Sequence, residues 1–484
     1  MRNYDVAIIG AGVTGCAVAR HLSRFRLKIV LIDAAEDVAM GASRANSAIV
    51  HAGYDCPAGT LMAKLNVRGN ALYSQWCEEL DVPFQRVGSL VAAFNPDEKL
   101  ELRWLYERGL QNGVPDMEML TGEQARALEP MLSPKAVAAL HAKSAGITCP
   151  YEMTIACAEN AVANGVELLL GRPVKWIVSE PNSMVVRCGD ECISAKRIVN
   201  AAGIHADDVA RMIEDDSFEI RPRKGEYMLF DRTERRPEKV LFHTPTKLGK
   251  GVLVAPTVDG NVFAGPTAVN VNDKEDTSVD ANLAEVLATL ALEATPTLNL
   301  RNTIRAFAGL RAQPSTGDFI ITSSEKDARM IHAAGICSPG LTSAPAIAEQ
   351  VEEELRITGL VMNEKAQFNP YRRHIPVFRT MTAEERRRAI AENPLYGRVI
   401  CRCENVTEAE IVEAVHRGAR TVDGVKRRTR AGMGRCQGGF CTPRVMEIIA
   451  REAEIPEETI TKSGGNSYMV AGRTRGRCEH GQAV

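Results

Sequence analysis

Residues 4–15 read YDVAIIGAGVTG and residues 28–33 read KIVLID, and these two stretches decide the fold of the first part of the chain. Tyr4 to Ile9 is a short apolar run of the kind that forms a strand buried on both faces. Gly10, Gly12 and Gly15 follow, and apolar residues then recur at helical spacing through Phe25. Lys28 to Ile32 is a second strand, and it ends at Asp33. The reading is a complete βαβ unit. Gly10 permits the tight turn, Gly12 lets a pyrophosphate approach the backbone, and Gly15 lets the helix pack on the sheet. The helix, opening at Val13 and Thr14, points its unpaired N–H groups at the phosphates. Asp33 stands 18 residues after Gly15, where a carboxylate accepts hydrogen bonds from ribose hydroxyls and repels a 2′-phosphate. The unit predicts dinucleotide binding without deciding between FAD and NAD.

The rest of the composition is that of an ordinary globular enzyme. At 484 residues the prior is about three domains. The chain is 45% hydrophobic and 25% charged, with a net charge of −2. That balance excludes a general nucleic-acid binder, which carries a basic excess. No early segment reads as a signal peptide, and no run approaches the roughly 20 apolar residues that span a bilayer. The expected location is the cytoplasm, where thiols stay reduced, so the thirteen cysteines read as free thiols or metal ligands.

Three further segments select the cofactor. They are Gly41-Ala42-Ser43-Arg44-Ala45-Asn46-Ser47, Asn200-Ala201-Ala202-Gly203-Ile204-His205-Ala206-Asp207, and the run from Ala334 through Gly340-Leu341-Thr342 to Ile347. Together they resemble the D-amino-acid-oxidase-type flavoprotein superfamily, in the branch of the glycerol-3-phosphate and L-2-hydroxyglutarate dehydrogenases and oxidases. The resemblance spans about residues 1–365 and implies FAD. It implies FAD contacts at Gly10, Gly12, Val13, Thr14, Gly15, Asp33, Ser43, Asn46, Ser47, Val174, Ala202, Gly203, Gly340, Leu341 and Thr342, with the Val174 strand meeting the adenine. Physically, the small residues 201–203 let backbone pass close to a cofactor, and a helix starting at Gly340 can stabilise negative charge on a reduced flavin ring. The expected fold is α/β. A Rossmann-type FAD-binding domain (about 1–80, 145–215 and 305–365) is interleaved with a mixed β-sheet substrate domain (about 81–144 and 216–304) that roofs the flavin.

Asn46-Ser47-Ala48-Ile49-Val50-His51-Ala52-Gly53-Tyr54-Asp55 resembles the active-site segment of this branch, which implies that His51 takes the proton of a substrate hydroxyl. Imidazole titrates near neutrality and suits that task. Gly309-Leu310-Arg311-Ala312 resembles the family's anion-gripping arginine, whose guanidinium fork matches a carboxylate or phosphate. Arg223-Lys224-Gly225-Glu226-Tyr227 resembles the same branch at a strand leading into the roof. Lys247 or Lys250, in a glycine-rich turn, can pair with a phosphate. His51, Arg311, Ser47 and Lys250 are the candidate catalytic residues.

Residues 366–397 read as a charged linker with one short helix, and a compact unit begins at Arg398. Cys401 and Cys403 form C-x-C, Cys436 and Cys441 form C-x4-C, and 32 residues separate the pairs. Thr407 followed by Glu410 is a capping box that opens a helix. Four thiolates hold either zinc or an iron–sulfur cluster. The runs 401–407 and 429–434 resemble the bacterioferritin-associated-ferredoxin-like [2Fe–2S] domain, over about residues 398–450. That implies Cys401, Cys403, Cys436 and Cys441 as ligands, with Lys426, Arg427, Arg428, Arg430 and Arg435 as positive charge beside an anionic cluster. Residues 451–484 read as a tail in which Cys478 and His480 are not ligands.

A flavin takes two electrons as a hydride and a [2Fe–2S] cluster carries one at a time, so the pairing predicts a dehydrogenase with a downstream acceptor. It resembles the large subunits of anaerobic glycerol-3-phosphate dehydrogenases, which implies electron-accepting redox subunits and membrane association only through partners. The expected substrate is a small anionic hydroxy compound, with sn-glycerol 3-phosphate before L-2-hydroxyglutarate. A different class, an electron-transfer subunit with an idle pocket, is the remaining alternative.

Overall fold

The structure, a computed structural model, describes residues 1–245 and 251–472. Its first elements are strand β1 (Arg2–Ile9), helix α1 (Val13–Leu22) and strand β2 (Ile29–Ile32). The strands are parallel, with Val6 opposite Ile29 and Ile9 opposite Ile32, and every β2 residue is buried. The run is apolar on both faces because both faces are covered. Backbone crowding explains the glycines. Gly10 has φ +104°, and a methyl group there would lie 2.3 Å from the Ala201 carbonyl oxygen. A methyl group on Gly15 would lie 1.9 Å from the Gly10 carbonyl oxygen.

The chain divides into two units, residues 1–32 with 38–372 and residues 33–37 with 373 onward. The first holds two large sheets. Among the described residues, one runs in the order Val174–Ser179, Met184–Cys188, Glu191–Asn200, β1, β2, Glu167–Leu169, with Met330–Ala334 alongside Glu191–Asn200 and Ile320–Ser323 beyond it. The other has nine strands drawn from Ser89–Ala142 and Ile220–Pro314. The sequence segments expected to form the substrate roof lie in this second sheet. Thr303–Pro314, placed by sequence mostly in the FAD-binding part from 305 on, also belongs to it. It pairs from end to end with Ile220–Phe230, Arg311 opposite Arg223 and Gly309 opposite Gly225.

Two helices of this unit pack tightly on each other. Leu61–Leu80 and Gly340–Ile357 approach so closely that a methyl group on Gly69 would lie 2.2 Å from the Thr342 carbonyl oxygen.

The second unit packs the helices Glu408–His416, Val422–Thr429 and Thr442–Ala453 around Ile411, Val415, Val425, Val445 and Ile449. The capping box is present, with Glu410 accepting from the Thr407 N–H at 2.7 Å. Two expectations change here. The segment 366–397 is more than a connector, because Ile375 is 2% exposed within this core. The tail does not leave at residue 451 either: Ile460 is fully buried in the same core. Their few buried apolar residues, Ile375 and Phe378 in one segment and Ile460 in the other, carry no periodic signal. Cys478 and His480 lie outside the described residues. Asp37, in the same unit, accepts from Arg427 at 2.9 Å and Arg428 at 2.8 Å, with all three side chains almost fully buried. Burial alone would raise the Asp37 carboxyl, but the two guanidinium groups outweigh it and hold it below its ordinary value. No helix among the described residues is long and apolar enough to cross a membrane.

Gly69→Ala tests the helix contact. On propensity alone the change gains about 1 kcal/mol in a helix interior. The clash with Thr342 instead predicts a net loss of about 1–3 kcal/mol, read as a lower urea midpoint with an unchanged slope. A stabilised variant would show that the two helices separate freely.

Candidate functional site

The turn after β1 is the first half of a cradle. Helix α1 opens at Gly12, which has no side chain to cap it, and holds no acidic residue in its first turn, so its remaining N–H groups can meet an anion. Ser43 closes over it, accepting the Val13 N–H on Oγ at 2.8 Å, while Thr14 is buried in the first turn. Asp33 directly follows β2 and accepts the Ala35 N–H at 2.8 Å. Val174 and Ala202 pack on one cluster with Ile9 and Ile32. Asn200 shapes the next turn, with its Oδ1 accepting from Ala202 N at 3.4 Å and its Nδ2 donating to Ala206 O at 2.7 Å. Gly203, at φ +59°, leaves open space beside it.

The second half is the start of the Gly340–Ile357 helix. Pro339 precedes it, no side chain caps it, and its first turn of Gly340, Leu341 and Thr342 holds no acid. Thr342 Oγ1 accepts the His51 N–H at 2.9 Å, which fixes the histidine's backbone to this turn. Two helix N-termini without an N-cap side chain and backbone too crowded for a Cβ are what a flavin dinucleotide needs, and a carboxylate directly follows β2 in the chain, so the residues present fit FAD. Asn46 departs from the expected contact. Its Nδ2 donates to Ala42 O and Ser43 O at 3.1 and 3.2 Å, and its Oδ1 accepts from Ala48 N at 2.8 Å, holding Ala48 at φ +56°. It shapes the loop that carries Ser47.

His51 is half-buried, with its ring 6.0 Å from Phe242 of the second sheet. Asn70 Nδ2 donates to the His51 carbonyl at 2.9 Å. On that sheet the Arg311 guanidinium lies flat over Gly225, where a methyl group would sit 2.5 Å from Nη2. Its Nη2 donates to Thr267 O at 3.3 Å, while Nη1 is buried with no hydrogen-bond partner among the described residues. Tyr227, stacked on Phe307 at 4.9 Å, also hydrogen-bonds this arginine, and burial pushes its phenol up. Ile49, Ala52, Tyr54, Tyr227, Phe242 and Phe263 form one buried cluster, which brings the His51 segment and the Arg311 sheet together. Gly309 completes the approach, since a methyl group there would lie 1.9 Å from the Ala45 carbonyl oxygen. Sequence reading missed Phe242, whose short, wholly buried strand marks it only as core. Lys247 and Lys250 lie outside the described residues.

In the second unit, Cys401 ends a short strand, Cys403 is exposed, and Cys441 is the residue before the Thr442–Ala453 helix. The Cys403 and Cys436 sulfurs are 3.6 Å apart, and the Cys401 and Cys441 thiols hydrogen-bond each other. Among the described residues these stand as two thiol pairs, not as a ready cage of three or more ligands. A methyl group on Gly434 would lie 2.2 Å from the Cys403 Cβ, so only glycine lets the two loops close. The Cys441 thiol and the N–H groups of Gly432 and Glu404 draw the Cys401 thiol down to about 6. The Phe440 and Gly438 N–H groups, with the Cys403 thiol, lower Cys436. Four cysteines from two loops, ringed by N–H donors, fit an anionic cluster.

Residues 5–354 match the FAD-dependent oxidoreductase family, and residues 399–451 match the BFD-like [2Fe–2S] binding domain. The chain belongs to the FAD-dependent oxidoreductases. It is 46% identical over 475 residues to glycerol 3-phosphate dehydrogenase of Caloramator mitchellensis, covering 98% of this chain and 99% of that protein. It is 33% identical, with a TM-score of 0.74, to the solved structure of dithionite-reduced L-α-glycerophosphate oxidase from Mycoplasma pneumoniae with FAD bound, over 77% of this chain and 99% of that one. It is 28% identical to mitochondrial L-2-hydroxyglutarate dehydrogenase of Arabidopsis thaliana, over 72% of this chain and 82% of that protein. This FAD-dependent oxidoreductase thus carries FAD and a [2Fe–2S] cluster as its cofactors and acts on a CH–OH group.

One buried network of this oxidoreductase has no sequence signal. His332, in an apolar strand, is 1% exposed and Asp215 is 2% exposed. His332 Nε2 lies 3.0 Å from Asp215 Oδ2, which Ser324 also reaches. On the other side Asn200 Nδ2 stands 3.3 Å from His332 Nδ1. Because Asn200 Oδ1 is committed to the Ala202 N–H, its Nδ2 must donate, so His332 is neutral with its proton on Nε2. Burial lowers the His332 imidazole below its ordinary 6.5, and burial also lowers His21.

Two outcomes follow from these environments. An unfolded chain binds more protons than the folded one below about pH 6.5, so stability is level above neutrality and declines as pH falls through that range. Urea unfolding at several pH values should show this decline, and His332→Gln should make it shallower. An unchanged slope would place the proton uptake elsewhere. Cys401→Ser or Cys436→Ser should abolish cluster absorbance while FAD stays bound. Cys157→Ala should keep both, because burial pushes that thiol up to about 12 and leaves it inert.

Proposed function

We propose that this chain oxidises sn-glycerol 3-phosphate to dihydroxyacetone phosphate and passes the electrons singly through its cluster to an external protein acceptor. The reading is carried by one observation. His51 is pinned to the first turn of the Gly340 helix and lies against Phe242, Arg311 keeps a buried N–H left over beside Tyr227, and Phe242 and Tyr227 share one buried cluster. An unpaired buried guanidinium N–H costs about 1–3 kcal/mol unless an anion meets it. Arg223 stands opposite Arg311 on the same sheet face, and like charges so placed repel. The doubly charged phosphate monoester relieves both.

In this reading Arg311 holds the phosphate and sets the substrate's C2 hydroxyl toward His51. His51 takes the hydroxyl proton, and Asn70, bound to its carbonyl, keeps the histidine's backbone in place. Tyr227 and Phe307 wall the pocket and exclude water, and the helix N-terminus at Gly340 favours negative charge beside it. Bound FAD supplies the two-electron hydride acceptor, and the cluster a one-electron carrier. A cluster domain in the same chain as the flavin domain suits a dehydrogenase. The oxidase match leaves nearly a quarter of this chain without a counterpart, whereas the dehydrogenase match covers 98% of it. Residence in the cytoplasm, with membrane association only through the acceptor, belongs to the same reading.

Anaerobic mixing with glycerol 3-phosphate should bleach the flavin band, and L-2-hydroxyglutarate should not. Bleaching by the hydroxy acid alone would overturn the substrate, and bleaching by neither would favour an electron-transfer subunit. His51→Ala should slow the bleaching about 100-fold or more. Arg311→Lys should raise the half-saturating substrate concentration about tenfold or more, as the bidentate fork is lost.

A further inference from the structure

We propose that the exposed rim of the cluster loop, centred on Phe440 and flanked by Arg402 and Arg435, is the docking surface for an acidic electron-accepting protein. The inference rests on the reading that electrons leave through the cluster, and it names where and to what kind of partner.

Phe440 is 86% exposed, the most exposed of the large hydrophobic side chains on the described surface. A phenyl ring is among the costliest groups to leave in water, and lone aromatics of this kind anchor interfaces. Its place is specific. Phe440 directly precedes Cys441, so the ring stands next to a proposed ligand in the chain. Cys403, the partner sulfur at 3.6 Å, is itself exposed. The cluster edge nearest to solvent is therefore the edge beside Phe440.

The charge around it is one-sided. Between Gly424 and Met446 the chain holds six basic residues and no acid. Most of these cations are already engaged. Arg427 and Arg428 bind Asp37, Arg430 binds Glu404, and Arg444 binds Glu447. Arg402 and Arg435 are exposed and form no ion pair among the described residues. They immediately precede Cys403 and Cys436, the two cysteines whose sulfurs meet, so both charges flank the same edge. An apolar centre between two unpaired cations fits a partner with an acidic rim. In each encounter the reduced cluster gives one electron to the partner's metal centre, with no proton moved and no bond changed. Two encounters therefore empty one hydride's worth of electrons.

The test uses the full holoprotein, with its cluster reduced by dithionite so that it does not depend on the substrate. Stopped-flow mixing measures cluster reoxidation by plastocyanin, an acidic one-electron acceptor, and by cytochrome c, a basic one. The plastocyanin rate should fall about tenfold or more as ionic strength rises from roughly 0.01 to 0.15 M, and the cytochrome c rate should not fall. Arg402→Glu should slow plastocyanin about tenfold and flatten its salt dependence. Phe440→Ala, which leaves the loop charge intact, should slow it several-fold at every ionic strength. A plastocyanin rate indifferent to salt and to both substitutions would overturn the proposal. So would a slowing of flavin-to-cluster transfer by Phe440→Ala, which would assign this surface to the chain's own flavin unit. Failure of glycerol 3-phosphate to bleach the flavin would sink the substrate reading and leave this result standing.

Discussion

The hydrogen bond from the His51 N–H to Thr342 Oγ1 joins residues 291 positions apart, and the candidate site is arranged around it. Thr342 has no freedom of its own. It is fully buried, and the helix that carries it is pressed against Gly69 with no room for a methyl group. The same side chain that receives the His51 N–H also reaches the Ile49 carbonyl at 3.4 Å, so both ends of a two-residue strand are tied to one helical turn. In the proposed reaction a group that takes a proton needs placement to within a fraction of an ångström. The backbone of His51 gets that placement from contacts with Thr342 and Asn70 on rigid elements.

The first half of this arrangement was legible in the sequence because it depends on backbone shape. Gly10, Gly12 and Gly15 are required wherever main chain must touch main chain, and such positions tolerate one residue type. The roof sheet was harder to delimit. Residues from about 305 on read as part of the FAD-binding domain, but the ladder partner of Thr303–Pro314 is Ile220–Phe230, more than seventy residues earlier, and pairing across that distance leaves no local trace. Ile375 and Ile460 failed to announce themselves for a related reason. One or two buried residues in a charged segment have no period to reveal them. Asn46 shows a third kind of limit: its motif suggested a cofactor contact, yet its amide is spent on the loop's own turns.

Buried charge is handled differently in the two units. In the second, Asp37 is surrounded by two guanidinium groups, and the net result is a carboxylate that stays ionised despite burial. In the first, the Asn200–His332–Asp215 chain keeps the imidazole neutral, so only the carboxylate carries charge. Breaking either by removing one member would leave a buried group without its counterpart, which costs more than the intact network contributes. The Asn200 end of that chain also braces the Ala202–Gly203 turn, so a buried network without chemistry of its own still sets the shape of the cofactor cradle.

The cysteines carry this logic furthest, because one residue type serves two opposite ends. Cys77 and Cys157 sit in apolar surroundings that push their thiols up to about 12, and a thiol that never ionises neither binds metal nor reacts. Cys401 and Cys436 sit where N–H groups and a second thiol favour the thiolate. The spacing of the cysteines alone separates these groups in the sequence, but the physical separation is made by what surrounds them: helix interior in one case, glycine loops with inward N–H groups in the other. The loop that supplies those N–H groups cannot also bury its own side chains. Its glycines turn the backbone toward the sulfurs, and Phe440 and Arg435 are left facing solvent as a consequence of the same geometry. Turning N–H groups toward the sulfurs and leaving Phe440 and Arg435 exposed are therefore one structural solution.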